Sequence, residues 1–231
     1  MVEIPDFIGL SGTPFPRKAA GHKMPVVRIE GLTKVYKRGF WGRKVAALKD
    51  LHLEVEQGEI FGFLGPNGAG KTTTLKILLR IIFPTEGKAW VLDREIGSPA
   101  LKRRIGYMPE NPYFYRFLTG EEFLGFYASL ARVPRPERKR RIDELIRLVG
   151  LEHARGLRIG EYSRGMTQRI GLAQALLHDP EIIFMDEPLS GLDPIGRHEM
   201  RDLILSLRQR GKTVFFCSHI LSDVESICER V

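Results

Sequence analysis

Eight consecutive residues, Gly65-Pro66-Asn67-Gly68-Ala69-Gly70-Lys71-Thr72, have the composition of an anion cradle. Glycines let the backbone curl so that successive N–H groups point inward. A helix starting at Lys71 adds the partial positive charge of its N-terminus. Lys71 can then reach the β- and γ-phosphates of a nucleoside triphosphate, the Thr72 hydroxyl can ligate Mg²⁺, and Thr73 extends the phosphate-facing turn. The octapeptide fits the phosphate-loop pattern at every defined position, against the alternative of a glycine-rich turn that matches by chance. Such a site needs an acid at the end of a buried strand, and Ile182-Ile183-Phe184-Met185-Asp186-Glu187 offers two. Asp186 suits the Mg²⁺ shell, and Glu187 suits the orientation and deprotonation of an attacking water. Read in isolation, the pair could equally cap a helix. His219 follows the strand-like Val214-Phe215-Phe216-Cys217, one helix and one strand beyond Asp186. That spacing puts its imidazole on a neighbouring strand end, within reach of phosphate or water, although a lone histidine there is often structural.

The elements that must hold these groups read as an alternating α/β core. Ile60-Phe61-Gly62-Phe63-Leu64 is a short apolar run, as expected of a strand buried on both faces. A helical run over 71–82 follows, stopped by Pro84 and Gly87. Strand 182–185, helix 194–209, strand 214–217 and a helix from Ser222 repeat the alternation. Before them, Val27 and Ile29, then Leu51, Leu53 and Val55, alternate with polar residues, which predicts antiparallel strands joined by a turn-rich loop at 37–42. Residues 101–180 read as mostly helical, with Ile142, Leu145, Ile146 and Val149 on one helix face. Residues 1–25, with several glycines and prolines and no apolar period, read as a flexible or loosely docked extension.

Composition excludes several classes. The chain has 231 residues, 43% of them hydrophobic and 28% charged, as in an ordinary globular domain. No run approaches the ~20 apolar residues of a membrane helix. The N-terminus carries Glu3 and Asp6 and does not read as a signal peptide. Cys217 and Cys228 make no disulfide framework and read as small apolar fillers. The net charge of +8 favours polyanionic partners without choosing among nucleotides, nucleic acid and anionic membranes.

From about residue 26 to residue 231 the chain resembles the nucleotide-binding domain of an ATP-binding cassette (ABC) transporter. Besides the phosphate loop and the acids 186 and 187, Tyr107-Met108-Pro109-Glu110 resembles the Q-loop and Tyr162-Ser163-Arg164-Gly165-Met166 the signature motif. Ser190-Gly191-Leu192-Asp193 resembles the D-loop, and Ser218-His219 the switch histidine. The resemblance implies a P-loop NTPase of α/β class. It would have a mostly parallel core sheet, an N-terminal antiparallel β subdomain and an inserted helical subdomain at about 107–180. It implies MgATP as ligand, with Thr72, Glu110 and Asp186 toward the metal and Tyr36 stacked on adenine, unless Tyr36 is simply an exposed strand aromatic. It also implies a head-to-tail homodimer or heterodimer of ATPase domains. There Ser163 and Gly165 would touch the γ-phosphate held by the partner, and Asp193, locally a helix N-cap before Pro194, the partner's phosphate loop. Ser163 near the start of a helix over 167–178 could also be no more than a cap. The remaining partner would be a membrane permease, with the ATPase peripheral on the cytoplasmic face and no nucleic acid expected. Relatives usually continue with at least one more strand after the last helix, so the chain reads as truncated at its C-terminus.

Three departures from the family pattern stand out: Arg164 for glycine, Met166 for glutamine and Glu110 for glutamine. Glu110 together with the Tyr-Ser-x-Gly-Met pattern of the signature resembles the ABC-2 exporter branch, while Arg164 adds charge near the expected interface. Seven aromatics at 113–127 read either as core of the helical subdomain or as a groove for a short helix of the membrane partner. The basic run at 135–141 reads as a solvated helix start or a lipid-headgroup contact, and Lys34, Lys37, Arg38, Arg43 and Lys44 as a zone near nucleotide or lipid. The rival reading is a non-transport ABC ATPase acting on nucleic acid or the ribosome, though the chain has neither a second cassette nor coiled-coil arms. A GTPase switch fits less well, because no Asn-Lys-x-Asp motif is present and the Ser163 motif would be unexplained.

Overall fold

A computed structural model describes residues 25–38, 43–228 and 230–231. The extension expected over 1–25, Pro25 excepted, and residues 39–42 of the expected loop lie outside the described residues, as do the side chains of Arg38 and Arg43.

Two four-stranded sheets stack around the first helix. The antiparallel sheet pairs β1 (Val27–Arg38) with β2 (Arg43–Val55) on one side and with β4 (Glu86–Val91) on the other, and β5 (Arg94–Glu95) closes it. The second sheet has the order β3-β8-β7-β6, from β3 (Ile60–Leu64), β8 (Thr213–Ser218), β7 (Ile182–Asp186) and β6 (Ile105–Met108), all parallel. Every residue of β7 and β8 is buried, so period two divides two cores rather than core from solvent. Phe184, Phe215 and Cys217 face α1 (Lys71–Leu78) and the antiparallel sheet. Ile183, Met185, Val214 and Phe216 face the helices on the other side. Phe215 is packed by Phe61, Phe63 and Phe184 with ring centroids 5.4–5.5 Å apart. Burial of each such ring is worth roughly 1.5–3 kcal/mol, which fixes the strand ends that carry the polar groups.

The far side holds α2 (Gly120–Leu130), α3 (Arg135–Leu148) and α4 (Arg164–Leu176), then α5 (Pro194–Gln209) and α6 (Leu221–Ile227). α2 opens on a capping box in which Thr119 and Glu122 satisfy each other's backbone N–H groups. Ile142, Leu145 and Ile146 are buried along α3, with Val149 just past its end, on the face that the spacing predicts. Cys228 and Val224 lie where a Cβ on Gly62 would stand, so α6 seats directly on β3. Both cysteines are free, Cys217 fully buried and Cys228 partly, and burial pushes the Cys228 thiol up to about 12 and Cys217 well above its ordinary value.

Several elements differ from the sequence expectation. α1 stops at Leu78 rather than Ile82, because Arg80 turns left-handed (φ 57) and lays its guanidinium 4.4 Å over the Phe83 ring. β6 lies inside the stretch expected to be mostly helical. α4 starts at Arg164, three residues earlier than predicted, with Ser163 itself as N-cap. The basic run of α3 is largely spent internally. Lys139 pairs with Asp143 and Arg140 with Glu144, while Arg141 donates to the carbonyls of Leu176 and Leu177 and pairs with Asp179.

Candidate functional site

The phosphate loop runs from β3 into α1, at the edge where β7 and β8 also end. Gly68 (φ 85) and Gly70 (φ 92) take left-handed backbone. At Gly70 a Cβ would collide with the Ala47 carbonyl and the Leu48 side chain, so only glycine lets the loop pack against β2. The Gly65 N–H donates to the Ser218 carbonyl and the Ala69 N–H to the Pro66 carbonyl. Lys71 is buried, and its Nζ donates to the Gly65 carbonyl at 2.6 Å and the Pro66 carbonyl at 3.2 Å. The same Nζ stands 3.3 Å from Glu187 Oε1.

Glu187 is the hub of the strand-end cluster. Its Oε2 lies 2.9 Å from His219 Nδ1. Its backbone is left-handed (φ 49), a conformation costing about 1–3 kcal/mol for a non-glycine residue. The surroundings hold it there: the Glu187 N–H donates to the Cys217 carbonyl, and the Glu187 carbonyl accepts from the Ser190 N–H. Asp186 is buried and hydrogen-bonded to the Thr72 side chain, while its Oδ1 has no hydrogen-bond partner. Burial raises the Asp186 pKa most; Thr72 and Lys71 lower it, and the negative Glu187 and Glu110 raise it further. Tyr107, on β6 beside β7, is pushed up to about 12 by burial and by the Asp186 charge.

These residues fit a divalent cation. An orphaned buried carboxylate oxygen, a hydroxyl bonded to that carboxylate and a third acid close by form an electron-rich corner. No three acid, histidine or cysteine side chains form a ready-made cage among the described residues. Mg²⁺ does not need one, since it binds through one or two protein oxygens completed by phosphate and water.

The structure thus brings together Lys71, Thr72, Asp186, Glu187 and His219, with Glu110 near Asp186. Tyr36 lies on the same side of the molecule: it pairs with Val45 on β2, two residues from Ala47, which touches Gly70. Its ring is partly exposed, with Lys34 Nζ 5.1 Å from the centroid. Asp193 caps α5, its Oδ1 accepting from the Gly196 N–H at 2.7 Å. Ser163 and Gly165 are not joined to the phosphate loop. Ser163 Oγ accepts from Met166, and its carbonyl accepts from Thr167. At Gly165 a Cβ would meet only Ser163 Oγ, at 4.0 Å, so nothing described in this chain requires glycine there.

Some participants escape sequence reasoning. Arg197 donates to the Leu192 carbonyl and pairs with the buried Asp223 at 3.2 Å, tying the loop before α5 to the helix after His219. Desolvation raises the Asp223 pKa, with Arg197 opposing it. An arginine one turn into α5 and an acid in the first turn of α6 are the whole signal, and neither says that the two meet. The aromatic stretch divides into buried and exposed rings. Phe123 is buried, with Phe114 4.6 Å away, whereas Tyr113, Tyr115, Phe117 and Phe126 are exposed and the last three are in ring contact.

A phosphate loop at the end of a parallel sheet, with paired acids on the neighbouring strand and a detached serine-glycine helix start, defines an ATP-binding-cassette fold. A family model described as "ABC transporter" matches residues 48–190, and the chain belongs to that family. It is 55% identical over 209 residues to an uncharacterised ABC transporter ATP-binding protein of Nostoc sp., covering 89% of this chain and 62% of the relative. It is 42% identical to the bacitracin transport ATP-binding protein BcrA of Bacillus licheniformis, covering 89% and 65%, and 38% identical to a fluoroquinolones export ATP-binding protein of Mycobacterium tuberculosis, covering 89% and 66%. The chain therefore spans about two thirds or less of the length of these relatives. Among solved structures it resembles a dimeric ATP-binding cassette in a post-hydrolysis state with ADP and Pi, at TM-score 0.77 and 27% identity, covering 87% of this chain and 90% of that one.

Proposed function

We propose that this chain binds MgATP and hydrolyses it as the ATPase portion of an exporter whose membrane passage is a separate permease. One observation carries the reading: Glu187 is buried at the end of β7 between Lys71 and His219, with the Asp186–Thr72 pair beside it. Thr72, Asp186 and Glu110 would hold Mg²⁺, which when bound neutralises phosphate oxygens. Lys71 and the N–H groups of the loop and of α1's first turn bind the β- and γ-phosphates. Glu187 takes the proton of the attacking water as its oxygen bonds the γ-phosphorus and the bond to the bridging oxygen breaks. His219 holds the Glu187 carboxylate through Nδ1 and leaves its second ring nitrogen for phosphate. Tyr36 offers a stacking surface for adenine.

A head-to-tail pair accounts for the detached half-site. Ser163, Gly165 and Asp193 face a nucleotide and phosphate loop supplied by a second ATPase domain, identical or similar. The open space at Gly165 supports this, since a glycine unexplained within the chain suits close approach of a ligand from outside. No helix among the described residues is long and apolar enough to cross a membrane; the subunit would sit peripherally on the cytoplasmic face, held there by the permease. The exposed rings at 113–126 suit contact with the permease. Export is supported by Glu110 with the Tyr-Ser-x-Gly-Met signature at 162–166 and by the names of the bacitracin and fluoroquinolone relatives.

Two variants test the reading. Lys71→Ala loses ATP binding in a fluorescent-nucleotide titration. Glu187→Gln keeps binding, loses roughly 10²–10⁴-fold in hydrolysis and elutes as an ATP-loaded dimer. A fully active Glu187→Gln protein removes the general-base role.

A further inference from the structure

The first two turns of α4 grip two loops of their own chain. The Arg164 guanidinium donates through Nε and Nη2 to the Ser190 carbonyl, both at 3.4 Å. Its Nη1 donates to Asn111 Oδ1 at 3.2 Å, and Nη2 also reaches the Glu110 carbonyl at 3.5 Å. One turn further on, the buried Gln168 donates from Nε2 to the same Glu110 carbonyl at 3.2 Å. Gly191 (φ 70) packs against this arginine, and a Cβ there would stand 3.5 Å from Nε. Arg164 itself is exposed, so the contacts are made across a surface seam and not inside a core.

The seam joins three parts with different duties. Ser163, one residue away, is the helix start that faces outward. Glu110 follows β6, which pairs with β7 so that Met108 lies opposite Met185, the residue before Asp186. Ser190 and Gly191 belong to the loop that runs from Glu187 to Asp193. A planar guanidinium can bond several acceptors in fixed directions, and neither glycine nor a single ammonium can do the same. We propose that Arg164 is a positioning residue that fastens the outward-facing Ser163 helix start to the Glu110 and Ser190 loops of its own nucleotide site. A nucleotide that engages Ser163 from a second copy thereby displaces or seats the metal-side carboxylate and the Asp193 loop of this chain, so the two sites of the pair act together. This rests on the ATPase reading above.

The test uses Arg164→Gly and Arg164→Lys in the full chain, with three readouts. In the wild type, hydrolysis depends on ATP with a Hill coefficient above 1, as for two coupled sites. In Arg164→Gly, kcat falls about tenfold, as expected for the loss of a few charge-assisted hydrogen bonds, and the Hill coefficient drops to about 1. Single-site ATP affinity, measured without Mg²⁺, stays at the wild-type value, and the melting temperature falls by only a few degrees, as expected for glycine in the first turn of a helix. Arg164→Lys keeps the charge and still loses the cooperativity. Independently of catalysis, hydrogen–deuterium exchange in the nucleotide-free protein rises at 110–111 and 189–192 together in Arg164→Gly. Wild-type kcat and Hill coefficient in that variant overturn the proposal. So does unchanged exchange in both segments, which decides the matter even if the wild type proves inactive and the ATPase reading itself falls.

Discussion

Two helix starts in this chain are proposed to meet phosphate, and they are built in opposite ways. At α1 the loop is closed on itself: Lys71 fills it, Gly70 is pressed against Ala47, and two acids and a histidine stand behind. At α4 the start is open. Ser163 caps its own helix, Gly165 has free space on its Cβ side, and nothing described in the chain completes a binding site there. A glycine enforced from within the chain marks a finished site. A glycine tolerated without internal cause is what the proposed half-site would show, its constraint coming from a second copy. Helix-terminal electrostatics are common to both, so the packing around each glycine distinguishes them.

Substitutions at the two starts can break or sharpen this contrast. The largest effect is expected at Gly70→Ala, which combines a left-handed backbone with a collision against the Ala47 carbonyl. A loss of about 1–3 kcal/mol in urea unfolding is expected, with nucleotide binding lost as well. A silent Gly70→Ala would erase the distinction from one side. Tyr36→Ala should weaken ATP binding by about 1–3 kcal/mol in titration calorimetry, with Tyr36→Phe close to wild type, if the closed site extends to the base. Asp186→Asn should stabilise the nucleotide-free protein at neutral pH while abolishing the dependence of ATP binding on Mg²⁺. The sign follows from burial. A carboxyl whose folded pKa is raised favours folding below its unfolded pKa of about 4, and that contribution is lost as pH rises through the folded value. The advantage of the Asn variant should therefore vanish near pH 4 in pH-dependent thermal melts. The smallest shift in stability belongs to Gly165→Ala, a gain of up to about 1 kcal/mol because alanine favours helix. Its value lies in the pairing with function: the stabilised variant should hydrolyse ATP slowly, and full turnover there would undo the half-site argument from the other side.

The chemistry was more legible in the sequence than the scaffold. Gly65 to Thr72, Asp186 with Glu187, and His219 are local signals, and strand-end spacing was enough to bring them together. Elements whose pattern depends on distant partners were not legible. β4 begins Glu86-Gly87-Lys88, all exposed, and only Ala89 and Val91 show its inner face. Four residues of β6, with a glycine that fits closely against the Ala175 carbonyl, are too short to carry a period. The early end of α1 depends on a left-handed arginine, a conformation that no propensity scale favours. Arg164 could be seen to depart from the family pattern, yet its bonds to Glu110, Asn111 and Ser190 span 26 to 54 residues and exist only once the sheet has formed. Arg197 and Asp223 are hidden for the same reason.

The posture of Lys71 bears on turnover. Its ammonium group already has two carbonyl acceptors and a carboxylate neighbour, so an arriving triphosphate must outbid resident partners. On the proposed ATPase reading, weak anions would fail that contest, and the loop would favour polyphosphate over single small ions. The same arrangement eases departure. Once a terminal phosphate had been cleaved, the cation would have somewhere to go, and its retreat onto the loop oxygens would help to clear the site.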